Sequence, residues 1–376
     1  MRKLITGMFL LFLTLGLTAS LTATSLSFSA TSNPSNSQTQ EIDSRIAGLE
    51  LPLTAPASDA YLQRKLKDYL ATGSHSTEKM LGRANRYFPV FEHYLAKHGM
   101  PESLKYLAVA ESMLVPRAVS GASAAGLWQL MPVTAREMGL RVDHVVDERL
   151  DLHRSTEAAV LMLKDLYAQF GDWHLALAAY NCGPGRVRRA VRHSGGYTQY
   201  GKVKPYLPKE TQRYVAAYVA AAYTVNYYGD HGLTPAAHLS EDSIAQFKVY
   251  RTINLRKLAR ARELDYATLR RLNPGYVQGY IPRNPAGYTL RVPSTDLYAA
   301  QTYVWGRPNM VTTARNGDDD HSQMESFMSD LGYSSVYWLL GCREVYFEHE
   351  PPLVFTETVR AWDYGYYNTY SAVAML

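Results

Sequence analysis

From Arg83 to Tyr228 apolar residues recur every three or four positions, and Ala, Leu and Met supply most of them. Val, Ile and Thr are sparse there, so period and residue choice together predict a nearly all-α domain. Weaker helical patterning begins near Ala60-Tyr61-Leu62. Pro101 starts a helix that runs to Ser112, and Pro132 starts a short one closed by Gly139. His153 to Phe170 reads as a longer helix stopped by Gly171, Trp173 to Tyr180 as the next, and Pro208 to Tyr228 as the last. After Gly229 the texture changes. Phe247 to Tyr250 reads as a strand, Leu255 to Glu263 and Tyr266 to Leu272 as helices, and Tyr288 to Pro293 as a closing strand. Such a β-α-α-β unit is too small for much of a core and suits binding better than catalysis.

The ends read differently. Met1-Arg2-Lys3 and the apolar run Leu4 to Leu17 form an export signal over residues 1–24, with a retained membrane anchor as the alternative. The Ser-, Thr-, Asn- and Gln-rich stretch that follows predicts a flexible leader over 25–59. The helical domain then spans 60–230 and the β-α-α-β module 245–295, and the pattern leaves the tail 296–376 unassigned. The two cysteines, Cys182 and Cys342, lie far from the signal, so no lipid anchor is expected, and a disulfide between them stays open. No metal or other cofactor is expected.

Formal charge is +5, yet from Gly317 onward ten acidic residues face two Arg, a net of −8. Thr31 to Asn316 therefore carries about +11, which suits an anionic polymer, and export argues against nucleic acid. The arginines at 186, 188, 189 and 192 read as a solvated helix face, with contact to carboxylates of a bound polymer as the alternative.

Chemistry is concentrated in three places. Leu104, Leu107 and Ala108 line one helix face, and Glu111 occupies its next position. A Glu there is either paired structurally or kept partly dehydrated, and dehydration lets it hold a proton at neutral pH. Gly121 to Met131, GASAAGLWQLM, sets small residues before Trp128, Gln129 and Met131. That segment either lines a saccharide groove, with the indole stacking on a ring, or is a tight turn into the core. Asn181 ends a helix, as a ligand-facing amide or as a plain cap. Asp143, Asp147, Glu148 and Asp151 read as caps and a solvated face rather than a second catalytic carboxylate. HExxH, GxSxG, the full P-loop GxxxxGK[ST] and GxGxxG are absent.

The ordered blocks AESMLVPRAVSGASAAGLWQLMPVTAREMGL, DERLDLHRSTEAA, FGDWHLALAAYNCGPGRV and LPKETQRYVAAYVAA, from Tyr87 to Tyr228, resemble the lytic murein transglycosylases with a goose-lysozyme-like fold, glycoside hydrolase family 23. The resemblance implies a mainly α, lysozyme-like catalytic domain with Glu111 as its single acid/base and Ser112 as its neighbour. It implies that Ser120, Gln129 and Met131 face substrate, that Tyr180 and Asn181 are the AYN motif, and that Glu210 and Tyr214 are an ExxxY element whose tyrosine reaches the acid. Cys182 stands where relatives carry Ala, which suggests thiol sensitivity, and Leu130 stands where many carry Phe. The module resembles LysM-like glycan binders, with Tyr276 and Tyr280 as candidate sugar-facing rings; Val311 to Asp318 resembles the opening of a second one. The implied activity is non-hydrolytic cleavage of peptidoglycan glycan strands in the periplasm or cell envelope. A muramidase of the same fold, or a wall-binding scaffold within an envelope protein complex, are the alternatives.

Overall fold

The computed structural model describes residues 34–237 and 243–305, with the backbone of two further hairpins. The helical domain contains α1 (Pro34–Ala47), α2 (Ala60–Lys67), α3 (Ser74–Lys97), α4 (Tyr106–Ser112), α5 (Pro132–Glu137), α6 (Leu152–Phe170), α7 (Trp173–Cys182), α8 (Pro184–His193), α9 (Tyr200–Val203) and α10 (Lys209–Tyr227). Asp59, Asp151 and Asp172 cap α2, α6 and α7 by accepting backbone N–H bonds, and Gly171 closes α6 in the left-handed region. Each such cap is worth about 1 kcal/mol. None of the described helices is long and apolar enough to cross a membrane.

Helix α10 is the axis of the core. Ala216, Ala217, Ala220, Ala221 and Ala222 let neighbours approach closely, and Tyr218 and Tyr223 fill the remaining space. A helix buried on nearly every side, as this one is, takes its stability from packing rather than propensity. Helices α2, α4 and α7 pack against it.

The N-terminal leader expected over 25–59 is ordered from Pro34 onward. Ile42 and Ile46 of α1 are buried in the main core, as are Leu53, Ala55 and Ala57 behind it. Asp43 accepts the Ala57 backbone N–H at 2.6 Å, and Arg45 stacks over Tyr227. Polar composition predicted flexibility, but two isoleucines one turn apart were enough to seat the helix.

The module is a β-α-α-β unit, as its pattern predicts. Strand β1 (Ile244–Val249) is followed by β2 (Ile253–Asn254), α11 (Leu255–Arg262), α12 (Tyr266–Leu272), β3 (Tyr280–Ile281) and β4 (Tyr288–Pro293). β1 pairs antiparallel with β4 in the register Phe247↔Leu290, and β2 pairs with β3. The tail begins with a helix as well: α13 (Leu297–Trp305) buries Ala300 and Val304 in the module core. Beyond it lie hairpins β5–β6 (Val336–Leu339, Cys342–Val345) and β7–β8 (Arg360–Asp363, Tyr366–Thr369). Residues 1–24 and the segment Val311 to Asp318 fall outside the described residues. Tyr276, expected to face a sugar, is instead buried, and its hydroxyl donates to the Thr289 carbonyl at 2.6 Å. Tyr280 is half-buried against the same core.

Two-stranded sheets are marginal alone, and this one borrows from the helical domain. Val145 and Val146 belong to the module's core. Asp147 donates its N–H to the Gly275 carbonyl at 2.8 Å, and Val277 donates to Val145 at 3.0 Å. Asp151 pairs with Arg291 at 2.5 Å, with both side chains largely shielded from water. The acidic run thus supplies caps, as expected, but Asp147 and Asp151 are not solvated.

Burial by itself would raise the Asp151 carboxyl; the charge and hydrogen bond of Arg291 outweigh it and hold the group down at about 2. An unfolded aspartate titrates near about 3.9. The pair's contribution is therefore complete above about pH 4 and is lost as pH falls through the folded value. Amide exchange at Asp147 and Val277 should accelerate over that acid window. In Asp151→Asn docking should be weakened by on the order of 3 kcal/mol at neutral pH, with the difference closing in acid and the acid step gone.

Candidate active site

Helix α4 delivers Glu111. Leu104, Leu107, Ala108 and Val109 are completely buried, so the helix cannot rotate Glu111 out to bulk water. Met113 and Leu114 follow in the left-handed region, at φ 52° and 57°, and turn the chain sharply away just past the carboxylate. Ser112 pins that end: its hydroxyl reaches the Ala108 carbonyl at 3.1 Å and the Leu127 carbonyl at 2.8 Å. Met113 is further held by Arg83, which donates to its carbonyl at 2.7 Å.

Glu111 is half-buried, and the Tyr214 hydroxyl from α10 donates a short hydrogen bond to its Oε1. Burial raises the carboxyl most, the Tyr214 bond lowers it, and the negative charge of Glu210 raises it again, leaving it pushed up to about 7. Glu210 lies exposed one turn before Tyr214. Burial, with the Glu111 charge beside them, pushes the Tyr180 and Tyr214 phenols well above their usual value, so both stay protonated donors.

The loop that Ser112 ties to the end of α4 is built by backbone bonds. Val119 bridges Ala125, Ala125 exchanges two bonds with Leu130 at 3.1 Å each, and Gly126 donates to Ala118. Ser123, Gly126 and Gln129 all have positive φ. Gly126 is needed there, because a Cβ would lie 2.0 Å from the Arg149 carbonyl oxygen.

The residues expected in the site divide between direct and supporting places. Trp128 does not stack on a ligand. It is fully buried, 4.8 Å from the Phe91 ring centroid, and its indole N–H donates to Thr156 at 3.0 Å. Its carbonyl accepts the Tyr180 hydroxyl at 2.6 Å, so tryptophan and tyrosine together support the loop from beneath. The Gln129 amide nitrogen is spent on the loop too, donating to Ala118 and Gly126. Ser120 is exposed, and its hydroxyl accepts the Ala124 N–H at 3.0 Å. Met131 is exposed, with Val119 and Val133, as an apolar edge to the same segment. Asn181 is half-buried and its amide oxygen accepts the Thr211 hydroxyl at 2.7 Å.

Thr156, Thr211 and Arg149 were not singled out from sequence. The two threonines carry no signal beyond their helices, and Arg149 is hidden inside the charged string DERLD. Cys182 is buried and unpaired, and burial raises its thiol further, which opposes thiolate formation and the expected reagent sensitivity. The side chain of Cys342 lies outside the described residues. The arginines of α8 are exposed, as a solvated face requires. Among the described residues no three His, Cys, Asp or Glu side chains gather as a metal site.

Glu111 should titrate near pH 7 by carbon NMR. Tyr214→Phe removes the bond that favours the carboxylate, so that midpoint should move upward by roughly one unit. A midpoint at the ordinary glutamate value in the unaltered protein would contradict the burial described here.

Residues 88–201 match the transglycosylase SLT domain family, and residues 243–302 match the LysM-like domain of lytic transglycosylase MltD. Membrane-bound lytic murein transglycosylase D of Escherichia coli is 32% identical over 232 residues, covering 61% of this chain and 50% of that protein. The soluble lytic murein transglycosylase of Escherichia coli is 31% identical over 152 residues, covering 38% and 24%. The chain thus spans half the length of the first of these relatives and less of the second. The crystal structure of the 70 kDa soluble lytic transglycosylase from Escherichia coli aligns with 24% identity and a TM-score of 0.34, over 55% of this chain and 32% of that one. The mainly α architecture with its small β-α-α-β module agrees with the expected lysozyme-like domain and LysM-like unit. The chain is therefore similar over residues 88–201 to transglycosylase SLT domains, and over residues 243–302 to the LysM-like domain that follows one.

Proposed function

We propose that this chain is a peptidoglycan lytic transglycosylase of the membrane-bound D type, exported through residues 1–24 and acting on glycan strands in the periplasm or cell envelope. The observation that carries the reading is the Glu111–Tyr214 pair, a half-buried carboxyl whose proton affinity lies near neutrality. Such a group holds a proton to give and, once ionised, takes one back. The substrate class follows from the names of the relatives, both murein transglycosylases.

In this reading protonated Glu111 donates to the oxygen linking N-acetylmuramic acid to N-acetylglucosamine as the C1–O bond breaks. The acetamido carbonyl oxygen of the muramyl residue bonds to C1 in its place. Glu111, now a carboxylate, takes the proton from the C6 hydroxyl while that oxygen attacks C1 and releases the acetamido group. One glycan becomes two, no water is consumed, and Glu111 ends protonated. A hydroxyl of the same sugar outcompetes water because it is held beside C1 at high effective concentration. Tyr214 orients the carboxyl, Tyr180 supports the loop, and Asn181, Ser120, Gln129 and Met131 form the substrate-facing edge. The exposed apolar strip of Val119, Met131 and Val133 suits the flat face of a sugar ring.

Hydrolysis is the competing reading: water replaces the C6 hydroxyl in the attack on C1, activated by ionised Glu111 or by a second carboxylate. Glu210 is the candidate for that second group, because its charge already acts on Glu111. Digestion of purified sacculi followed by mass spectrometry separates the two: 1,6-anhydromuramyl ends are expected, and reducing ends alone would establish the hydrolase. Glu111→Gln should lower turnover by about a thousandfold or more with glycan binding changed only a few-fold. The rate of the unaltered protein should decline as pH rises through about 7, where Glu111 loses its proton.

A further inference from the structure

Module and substrate-facing loop meet through one buried side chain. Arg149 is 7% exposed and sits on the 3-10 turn Glu148–Leu150. Its Nη1 donates to the Ser123 carbonyl at 2.7 Å and the Leu130 carbonyl at 3.1 Å, the two sides of the loop. Its Nε and Nη2 grip both oxygens of Asp147, at 2.9 and 2.7 Å. Asp147 is in turn the residue whose N–H docks on Gly275 of the module. The short hairpin Val142↔Asp147 that presents it puts Val145 and Val146 into the module's core. Two further bonds flank the seam: Arg141 to the Tyr288 hydroxyl at 2.5 Å and Gln278 to the His144 carbonyl at 3.2 Å.

This wiring has a physical consequence. A guanidinium is a rigid planar fork, so its hold on two carbonyls is only as well directed as the carboxylate gripping its other side. Without the module, Val145 and Val146 would stand in water, and the hairpin would lose the apolar burial that seats it. Asp147 would then lose its place, and Arg149 its direction.

We propose that the LysM-like module buttresses the substrate-facing loop, acting through Asp147 and Arg149, and so sets substrate affinity at the carboxylate as well as any binding to glycan of its own. Arg149 is a positioning residue in this scheme, since it touches loop carbonyls and not substrate. The effect on affinity rests on the functional reading above; the effect on loop order does not.

The experiment uses the full chain and follows amide hydrogen exchange alongside kinetics on a soluble glycan fragment too short to reach the module. Asp147 and Val277 amides report docking, and Ala125 and Leu130 amides report the loop. Arg291→Gln removes the partner of Asp151. Gly275→Ile, whose new Cβ would lie 3.1 Å from the Asp147 carbonyl oxygen, wedges the seam without altering the module core. The two are combined if either alone stays docked. The expected result is that loop amides lose protection in step with the docking amides, by tenfold or more in exchange rate. KM for the short fragment should rise about tenfold while the pH midpoint of turnover is unmoved. Arg149→Lys should give the same loop and KM changes with the docking amides still protected. Undocking that leaves Ala125 and Leu130 protected overturns the proposal, as does a loosened loop with unchanged KM. A parent protein that turns over no glycan would instead count against the proposed function, because the exchange measurement needs no turnover.

Discussion

A carboxyl withdrawn from water keeps its proton unless some partner favours the charged form. Glu111 is held by a helix whose preceding turn is completely buried, and a tyrosine hydroxyl is what it is offered. A phenol stabilises the carboxylate through a hydrogen bond but brings no charge. The balance therefore comes out near neutrality rather than at either extreme. Much of the surrounding architecture serves that balance: the alanine-lined α10 that brings Tyr214 close, the left-handed turn that removes the chain beyond Ser112, and the tryptophan-supported loop that Ser112 ties to α4.

Asp151 shows how narrow the choice is. It too is largely shielded from water, yet it meets a guanidinium at 2.5 Å and is driven down to about 2. Two shielded carboxyls in one chain thus lie on opposite sides of their ordinary values. Whether the nearest partner carries a positive charge decides between them. The first is suited to exchanging a proton; the second is locked as an anion and serves as a joint between domains.

That joint changes the character of the module. A unit with two short antiparallel pairs has little apolar area of its own to bury, and it completes its core with Val145 and Val146 from the domain before it and Ala300 and Val304 from the helix behind it. Most polar contacts of the seam lie on the segment that carries Arg149, and Arg117 adds one to the Arg270 carbonyl. The β-α-α-β module and the loop held by Arg149 are consequently parts of one packed assembly rather than beads on a linker.

The three-and-four spacing of Ala and Leu determined an α-helical domain, and Gly and Pro punctuation determined most of its boundaries, because both are local effects of backbone geometry. The alternation of Phe247, Val249, Leu290 and Val292 determined the module's outer strands in the same way. Glu111 stood out because an acid on an apolar stripe is a local anomaly, but the stripe left structural pairing and dehydration both open. What lay beyond sequence was which particular aromatic and charged residues would be buried. Trp128 and Tyr276 turned inward, Arg149 found two carbonyls, and the polar leader folded back onto α10. Each of those outcomes depends on groups brought together from distant parts of the chain, and so only the tertiary structure could decide them.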